Sequence, residues 1–227
     1  MIVSHKLKCI FIKTEKTAGT SLEIALSRYC GPDDVITPIS PKDQLLRESL
    51  GYPGPQNYQV PFRNYTWSER LKYLLRRKPL EFFNHVGAAF IRPHLPPAVW
   101  NSYFKFAFER NPWDKVVSFY YWRHKQEPRP SLSQFIQSLG TDPIKGFDLY
   151  SIDSAVVVDK VFRYEQLDVA LREIVERLSL PEIPSLPNAK SEFRQNKGNY
   201  RELFSPQDRQ QVETMFSREI SLFQYAF

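Results

Sequence analysis

Cysteine and histidine are scarce in this chain of 227 residues. Its two cysteines, Cys9 and Cys30, cannot build the disulfide framework of a small secreted domain. The four histidines show no metal-ligand spacing and are scattered over the sequence: His5, His85, His94 and His124. The sequence therefore predicts neither a disulfide scaffold nor a metal centre.

Long apolar runs are also missing. No run approaches the roughly 20 residues that a membrane-spanning helix needs, and the first residues lack the apolar stretch of a signal peptide. We therefore expect no membrane span and a cytoplasmic location. Glycine is rarer than proline, 8 against 18, which indicates stiff connections rather than a flexible low-complexity chain.

Acidic residues are fewer than basic ones, and the net charge is +6 with an isoelectric point near 9.2. An excess of this size favours an anionic ligand. Nucleic acid, a nucleotide, a sulfated sugar and a membrane surface all satisfy that condition, so charge alone does not choose among them.

Strand patterns alternate with helix patterns along the chain. Residues 7–12 and Phe104–Glu109 are rich in aromatic and β-branched residues and predict strands, as do residues 161–164. Each is followed by a helical apolar period. We expect one α/β domain over residues 1–227, with a central, mainly parallel sheet flanked by helices on both faces.

Two stretches between these units have contrasting patterns. Residues 32–66 contain six prolines and little periodicity, which predicts a long, stiff loop. Residues 67–78 predict a helix with three leucines on one face, ringed by basic side chains. That helix is either a solvated surface or a rim that collects anions. Its leucines and basic residues are Leu71, Leu74, Leu75, Arg70, Lys72, Arg76 and Arg77.

A candidate anion site follows the first strand. The turn leaves backbone N–H groups unpaired at the start of a helix, where the helix dipole adds positive charge. Lys16 supplies a mobile cation, Gly19 permits close backbone approach, and Thr20 and Ser21 add hydroxyl donors. A Walker A loop is excluded because the lysine precedes the glycine by three residues. Taken alone, the stretch also fits a surface turn without a ligand.

A second candidate site follows the strand Phe104–Glu109. Arg110 precedes a helix that Asn111 caps and Pro112 begins, and its guanidinium suits a bidentate phosphate contact. Ser118 lies two helical turns beyond the cap on the same face. A structural arginine with a buried serine is the alternative. Together, the two sites suit one ligand with two separated anionic groups.

These residues resemble the sulfotransferases that use 3′-phosphoadenosine 5′-phosphosulfate (PAPS), in particular the carbohydrate-type branch. The segment from Lys16 to Ser21 is similar to the 5′-phosphosulfate loop of that family, and Arg110 to Ser118 is similar to its 3′-phosphate motif. Blocks at 162–167, at 196–200 and at 223–225 also resemble the family. Two departures are Glu15, in place of a proline, and Lys13, where relatives often have histidine.

The resemblance implies a P-loop-like fold and an enzyme that transfers a sulfuryl group in line from PAPS to a hydroxyl, without a metal. The acceptor is implied to be a saccharide or a glycosylated metabolite, and nucleic acid is not an expected partner. Lys16 is implied to stabilise the leaving phosphate, and His85 to act as the base, with His94 and Glu165 as weaker candidates. The implied nucleotide-binding residues are Lys16, Thr17, Ala18, Gly19, Thr20, Ser21, Arg110, Ser118, Lys197 and Gly198.

Two other functions remain open on the sequence. A P-loop-type kinase would use Mg-ATP, although the lysine spacing disfavours it. A non-catalytic polyanion-binding module would use the basic helix at residues 70–78, and its affinity would fall steeply with salt. The acceptor hydroxyl and the oligomeric state are not specified by the sequence.

Overall fold

A five-stranded sheet organises the chain. The computed structural model describes residues 1–140, 144–187 and 199–227. The strands are β1 (Ile2–Ser4), β2 (Cys9–Phe11), β3 (Val35–Ile36), β4 (Phe104–Glu109), β5 (Ser151–Ile152), β6 (Ala155–Val156) and β7 (Lys160–Arg163).

The main sheet has the order β3-β1-β2-β4-β7, and β5 and β6 form a separate hairpin. β2 pairs parallel with β4, and β4 with β7, whereas β1 is antiparallel to both of its neighbours. Four of the five strands therefore run in the same direction. This confirms the predicted mainly parallel sheet, while β1 itself was not predicted.

The helices surround this sheet. They are α1 (Gly19–Ser27), α2 (Pro41–Ser49), α3 (Trp67–Arg76), α4 (Ala88–His94), α5 (Pro97–Ser102), α6 (Pro112–Arg123), α7 (Leu132–Ser138), α8 (Phe147–Tyr150), α9 (Leu167–Leu178), α10 (Pro206–Met215) and α11 (Ser217–Phe223). No helix in the described ranges is long and apolar enough to cross a bilayer.

Alternation along the strands divides the core between two faces. Phe11 and its neighbours on β4 pack with α1 and α9, whereas Ile10 and Ile12 pack with α4, α5 and α8. Successive strand residues point to opposite faces, so both faces of the sheet are apolar and need cover. The helices provide that cover on both faces, as predicted. A third cluster joins α6, α7, α10 and α11.

The predicted loop over residues 32–66 is wrong in two places. β3 extends the sheet, and α2 occupies nine of the residues. Ser40 caps α2 by accepting a hydrogen bond from the Asp43 backbone N–H, and Pro41 stands at the first helical position. Proline is compatible with that position because its missing N–H would have had no partner there. The prolines therefore begin a helix here rather than exclude one.

The helix predicted at 67–78 exists as α3, and its leucine face is exposed. On the opposite side, the Glu69 carboxylate lies 2.9 Å from the His94 imidazole, and Tyr73 packs against the core. These two contacts fix the rotation of the helix. Leu71, Leu74 and Leu75 are consequently 56%, 57% and 78% exposed.

Candidate functional site

A cavity of about 640 Å³ opens where β2 and β4 end. Because these strands are parallel neighbours, the loops that follow them emerge at the same edge of the sheet. Nine of the residues singled out in the sequence line this cavity: Glu15, Lys16, Ala18, Gly19, Thr20, Ser21, His85, Arg110 and Ser118. The two predicted anion sites therefore face one space.

The loop between β2 and α1 has an unusual backbone. Lys16 and Ala18 have φ values of 62° and 58°, in the left-handed region. A Cβ on Gly19 would lie 2.6 Å from Cγ of Lys13 and 3.1 Å from the carbonyl oxygen of Thr14. Glycine is therefore required here by contacts within the loop itself, in addition to any approach of a ligand.

Two threonines fasten this loop to the sheet. The Thr14 hydroxyl donates to the Phe108 carbonyl on β4 at 2.5 Å. Because its proton is used there, Thr17 donates to the Thr14 hydroxyl across 2.9 Å. The Thr17 side chain is buried and does not line the cavity. The Thr17 side chain, which was predicted to bind the nucleotide, therefore supports the loop instead.

Lys16 projects over an aromatic ring of α6. Its Nζ lies 5.2 Å from the centre of the Trp122 ring, within the range of a cation–π contact. Trp122 in turn stacks on Phe119, with ring centres 5.5 Å apart. The ammonium group is thus held at the cavity, which Trp122 also lines.

Arg110 joins the two predicted anion sites. Its Nε and Nη2 donate to the Asp114 carboxylate at 2.9 and 2.6 Å, and its Nη1 donates to the Lys16 carbonyl at 3.0 Å. The guanidinium also stacks on Tyr164 at 4.4 Å. These three bonds use three of its five N–H groups. The other two donors have no partner in the described part of the chain and could meet an anion in the cavity.

The start of α6 is held by a residue that follows β7. The Asn111 side chain caps the helix by accepting from the Trp113 and Asp114 N–H groups, as predicted. The Asn111 backbone N–H donates to Glu165 at 2.6 Å. Glu165 thereby positions the helix that carries Ser118. This contact accounts for a glutamate after β7 without assigning it a role as a base.

His85 lines the cavity with a defined tautomer. Its Nδ1 lies 3.0 Å from the Lys13 carbonyl oxygen. A carbonyl can only accept, so Nδ1 carries the proton and the lone pair is on Nε2. Burial and the nearby Lys13 ammonium lower the pKa of His85 from 6.5 to about 3. The ring is therefore neutral at physiological pH.

A buried ionic cluster lies beneath His85. Lys13 Nζ contacts Glu23 at 2.6 Å, and Arg47 approaches the other carboxylate oxygen at 3.4 Å, with all three side chains fully buried. Burial disfavours the charged form of the Glu23 carboxyl. The attraction of its cationic neighbours, mainly Lys13, is larger and lowers the pKa of Glu23 to about 2. Lys13, one of the two departures from the family pattern, is thus an internal cation.

Glu15, the other departure, is turned toward the backbone at residue 145. Its carboxylate accepts from the Lys145 N–H at 2.9 Å, and its own N–H donates to the Lys145 carbonyl at 3.0 Å. The two bonds form a bridge between distant parts of the chain. Glu15 nevertheless lines the cavity, beside the proposed anion site.

The remaining sequence candidates fall elsewhere. His94 is buried away from the cavity, with one ring nitrogen on the Phe90 carbonyl and the other on Glu69. Lys197 and Gly198 lie outside the described residues. Within the described ranges, no group of three or more His, Cys, Asp or Glu side chains could hold a metal ion.

Other lining residues were not singled out in the sequence. They come from the start of α2, from the segment before α4 and from the third strand end: Ile39, Ser40, Asp43, Asn84, Tyr164 and Leu167. The block at 162–167, which contains Tyr164 and resembles the family, was a usable signal for this end of the cavity. The α2 residues were missed because that segment was interpreted as a loop.

Comparisons with known proteins agree with this architecture. The model of the family described as "Sulfotransferase family" matches residues 1–226. An uncharacterized protein of Archaeoglobus fulgidus is 31% identical over 104 residues, which is 40% of this chain and 81% of that protein. The crystal structure of mouse sulfotransferase SULT7A1 complexed with PAP superposes with a TM-score of 0.50 at 14% identity, covering 98% of this chain and 90% of that one. At that identity, the structural likeness concerns the fold.

Proposed function

The chain belongs to the PAPS-dependent sulfotransferase family, and on that premise we propose its reaction in more detail. It transfers a sulfuryl group from PAPS to a hydroxyl of a saccharide or a glycosylated metabolite. The observation that carries this proposal is the shared cavity, because two separated cationic sites and a neutral histidine line the same space.

The residues present fit a ligand with anions at both ends. Lys16, the loop N–H groups, Thr20 and Ser21 form the end that would hold the 5′-phosphosulfate, and Arg110 with Ser118 forms the end that would hold the 3′-phosphate. A cavity of about 640 Å³ lies within the usual range of ligand pockets, roughly 300–1,000 Å³. When bound, PAPS supplies the sulfuryl group and the phosphate leaving group.

Lys16 is proposed to neutralise the charge that develops on the leaving phosphate oxygen. The Trp122 ring, 5.2 Å from Nζ, keeps the ammonium in the cavity before a ligand arrives. A cation held in place needs little reorganisation at the moment of reaction, which is how preorganised charge lowers a barrier. In this proposal, lysine and backbone donors supply the positive charge, and no metal is involved.

His85 is proposed to take the acceptor hydroxyl's proton on Nε2. A pKa of about 3 makes the ring a weak base while Lys13 is its dominant charged neighbour. A polyanionic nucleotide in the same cavity would oppose the Lys13 field and raise that pKa. The bound donor would therefore make His85 a stronger base, while burial, the first cause of its low pKa, would remain.

The polar wall beside His85 supports a hydroxyl-rich acceptor. Ser40, Asp43 and Asn84 line this side of the cavity. The Asn84 Oδ1 atom is buried and has no hydrogen-bond partner among the described residues. Because that oxygen is closed to solvent, the exposed part of the Asn84 side chain, together with Ser40 and Asp43, would meet the acceptor hydroxyls. Transfer of radiolabelled sulfate from PAPS to a panel of mono- and oligosaccharides tests this assignment.

Calorimetry tests the nucleotide assignment. We expect 3′-phosphoadenosine 5′-phosphate to bind without Mg²⁺ and more tightly than ADP or ATP. Arg110→Ala should weaken binding of the 3′-phosphorylated nucleotide about 10- to 100-fold, since charge-assisted bonds contribute roughly 1.5–3 kcal/mol. Binding of ADP should change much less. Arg172→Ala, an exposed arginine on α9, is the matched control.

One further variant separates two causes of that loss. Removing Arg110 exposes the Asp114 carboxylate, which its guanidinium contacts at 2.6 Å. The double variant Arg110→Ala/Asp114→Asn removes that repulsion and keeps the loss of the phosphate contact. Equal losses for ADP and for the 3′-phosphorylated nucleotide would contradict the assignment of Arg110. A preference for Mg-ATP would support a kinase instead, and no nucleotide binding would support a polyanion-binding module.

A further inference from the structure

The exposed face of α3 is apolar in a way that the sulfuryl-transfer site does not explain. Trp67 is 84% exposed, and Leu71, Leu74 and Leu75 are between 56% and 78% exposed. These four side chains, hereafter the α3 face, recur at the i, i+4, i+7 and i+8 positions and therefore form one continuous stripe. Proteins that act in water seldom expose several large apolar side chains side by side without a partner.

The rotation of α3 is fixed by its contacts, so the exposure of this stripe is a property of the fold. The Thr66–Glu69 capping box defines the first turn. The Glu69 carboxylate also contacts His94 at 2.9 Å, and the Tyr73 ring packs on Tyr65 and Phe62. Both anchoring residues lie opposite the α3 face on the helical wheel. The leucines cannot turn inward without breaking these contacts.

Basic side chains border the α3 face on both sides. At 100° per residue, Arg70 lies along one edge of the stripe and Lys72 along the other, whereas Arg76 lies beside Glu69 and Arg77 is the C-cap residue. Lys78 follows directly after the helix, and Glu69 is the single acidic residue from 67 to 78. An apolar stripe with tryptophan and leucine, flanked by lysine and arginine, is the pattern of a helix that lies in a membrane interface.

We infer that the α3 face is a docking surface for an anionic membrane, with the helix axis parallel to the lipid surface. Trp67 and the leucines would enter the boundary between headgroups and acyl chains. The flanking basic residues would contact anionic headgroups, whose negative surface potential attracts such clusters. A membrane surface was among the anionic partners that the net charge of +6 allowed.

The charge distribution disfavours a second copy of this chain as the occupant. Two α3 faces packed together would bring the basic residues that border each face, Arg70 and Lys72, close to those of the other copy. Like charges placed face to face oppose association. An anionic bilayer meets the same residues with opposite charge. The inference does not depend on the transfer reaction, because no residue of the α3 face lines the cavity.

Vesicle sedimentation tests the inference with the full chain. We expect binding to vesicles of phosphatidylcholine with about 30 mol% phosphatidylserine, and little binding to phosphatidylcholine alone, because anionic lipid supplies the surface potential. Leu74→Gln/Leu75→Gln should weaken binding about tenfold or more, since each fully buried leucine contributes more than a factor of ten. Leu45→Gln, on α2 with 66% exposure, should have no effect.

Tryptophan fluorescence adds a second measurement on the same vesicles. Trp67 is the most exposed of the four tryptophans, since Trp100 and Trp113 are buried and Trp122 is 36% exposed. We expect brominated phosphatidylserine vesicles to quench the emission, and Trp67→Phe to remove most of the quenched component.

Three results would overturn the inference. The first is no binding to phosphatidylserine vesicles at low salt. The second is binding that Leu74→Gln/Leu75→Gln leaves unchanged. The third is a lipid-free dimer in sedimentation velocity that the same double variant abolishes, because a second copy would then cover the α3 face. Since both leucines are exposed, the variant is expected to fold, which circular dichroism and nucleotide binding check.

Discussion

His85 permits a substitution that removes a titrating ring and keeps its hydrogen bond. In His85→Asn, the side-chain amide nitrogen occupies nearly the position of Nδ1 and donates to the Lys13 carbonyl, which lies 3.0 Å from Nδ1. The backbone at residue 85 has a φ of 58°. Asparagine is among the residues that tolerate this left-handed conformation best. We therefore expect the variant to fold at pH 7 and to lack the Nε2 lone pair.

The expected effect on stability follows from the pKa values. The unfolded chain binds a proton at His85 below pH 6.5, whereas the folded pKa is about 3. Between these values the unfolded state holds more protons, so stability falls as the pH falls. One pKa unit corresponds to 1.36 kcal/mol, and pH 5 lies 1.5 units below the unfolded pKa. The wild type should therefore lose about 2 kcal/mol through His85 between pH 7 and pH 5.

Urea unfolding at pH 5, 6 and 7 measures this loss. The variant should lose about 2 kcal/mol less than the wild type over the same range, because it has no ring to protonate. The ion pair of Lys13 with Glu23 is present in both proteins and cancels in the comparison. His124→Asn, at the end of α6, controls for the loss of one histidine elsewhere. Parallel curves for the wild type and His85→Asn would refute the argument that His85 is buried in its neutral form.

The remaining predictions concern the loop and its lysine. Gly19→Ala should destabilise the fold by about 1–3 kcal/mol in urea unfolding, because its Cβ would lie 2.6 Å from Lys13 Cγ; Gly31→Ala, whose nearest neighbour would be 3.7 Å away, is the control. A stability change equal to that of the control would refute this. Lys16→Met should lower turnover about 10²- to 10³-fold, the size expected for a lost preorganised charge, and near-normal turnover in labelled-sulfate assays would exclude the proposed role. At pH 7, His85→Asn should lower transfer about 10²- to 10⁴-fold, the usual contribution of a positioned base, with nucleotide affinity kept; unchanged transfer would end that assignment.

The sequence was sufficient where a short motif fixes local geometry. Asn111 and Pro112 specify a helix start by capping, and the structure has α6 at that place. The residues from Lys16 to Ser21 specify a strand–turn–helix unit, and α1 begins within it. Such motifs act through contacts between near neighbours, so their residue order carries most of the information. That two of them face one cavity followed from the prediction of parallel strands.

The α2 segment shows a signal that was present and was given too little weight. Ser40, Pro41 and Asp43 repeat the cap, proline and acid that correctly predicted α6. The surrounding prolines made the segment look like a loop, and the apolar period was weak because Leu45 is exposed. A helix that is covered on its polar side has no strong hydrophobic stripe to reveal it. Its pocket residues were missed for that reason.

The contacts of Lys13 could not be predicted, because they join residues far apart in the sequence. Its ammonium pairs with Glu23 on α1, and its carbonyl accepts from His85, 72 residues further along. A lysine in a loop is ordinarily a surface residue, and its position invited comparison with the histidine of relatives. In this fold it is fully buried. The same side chain thus closes the ionic cluster and lowers the pKa of the proposed base, so a substitution at Lys13 would alter the loop, the cluster and the base together.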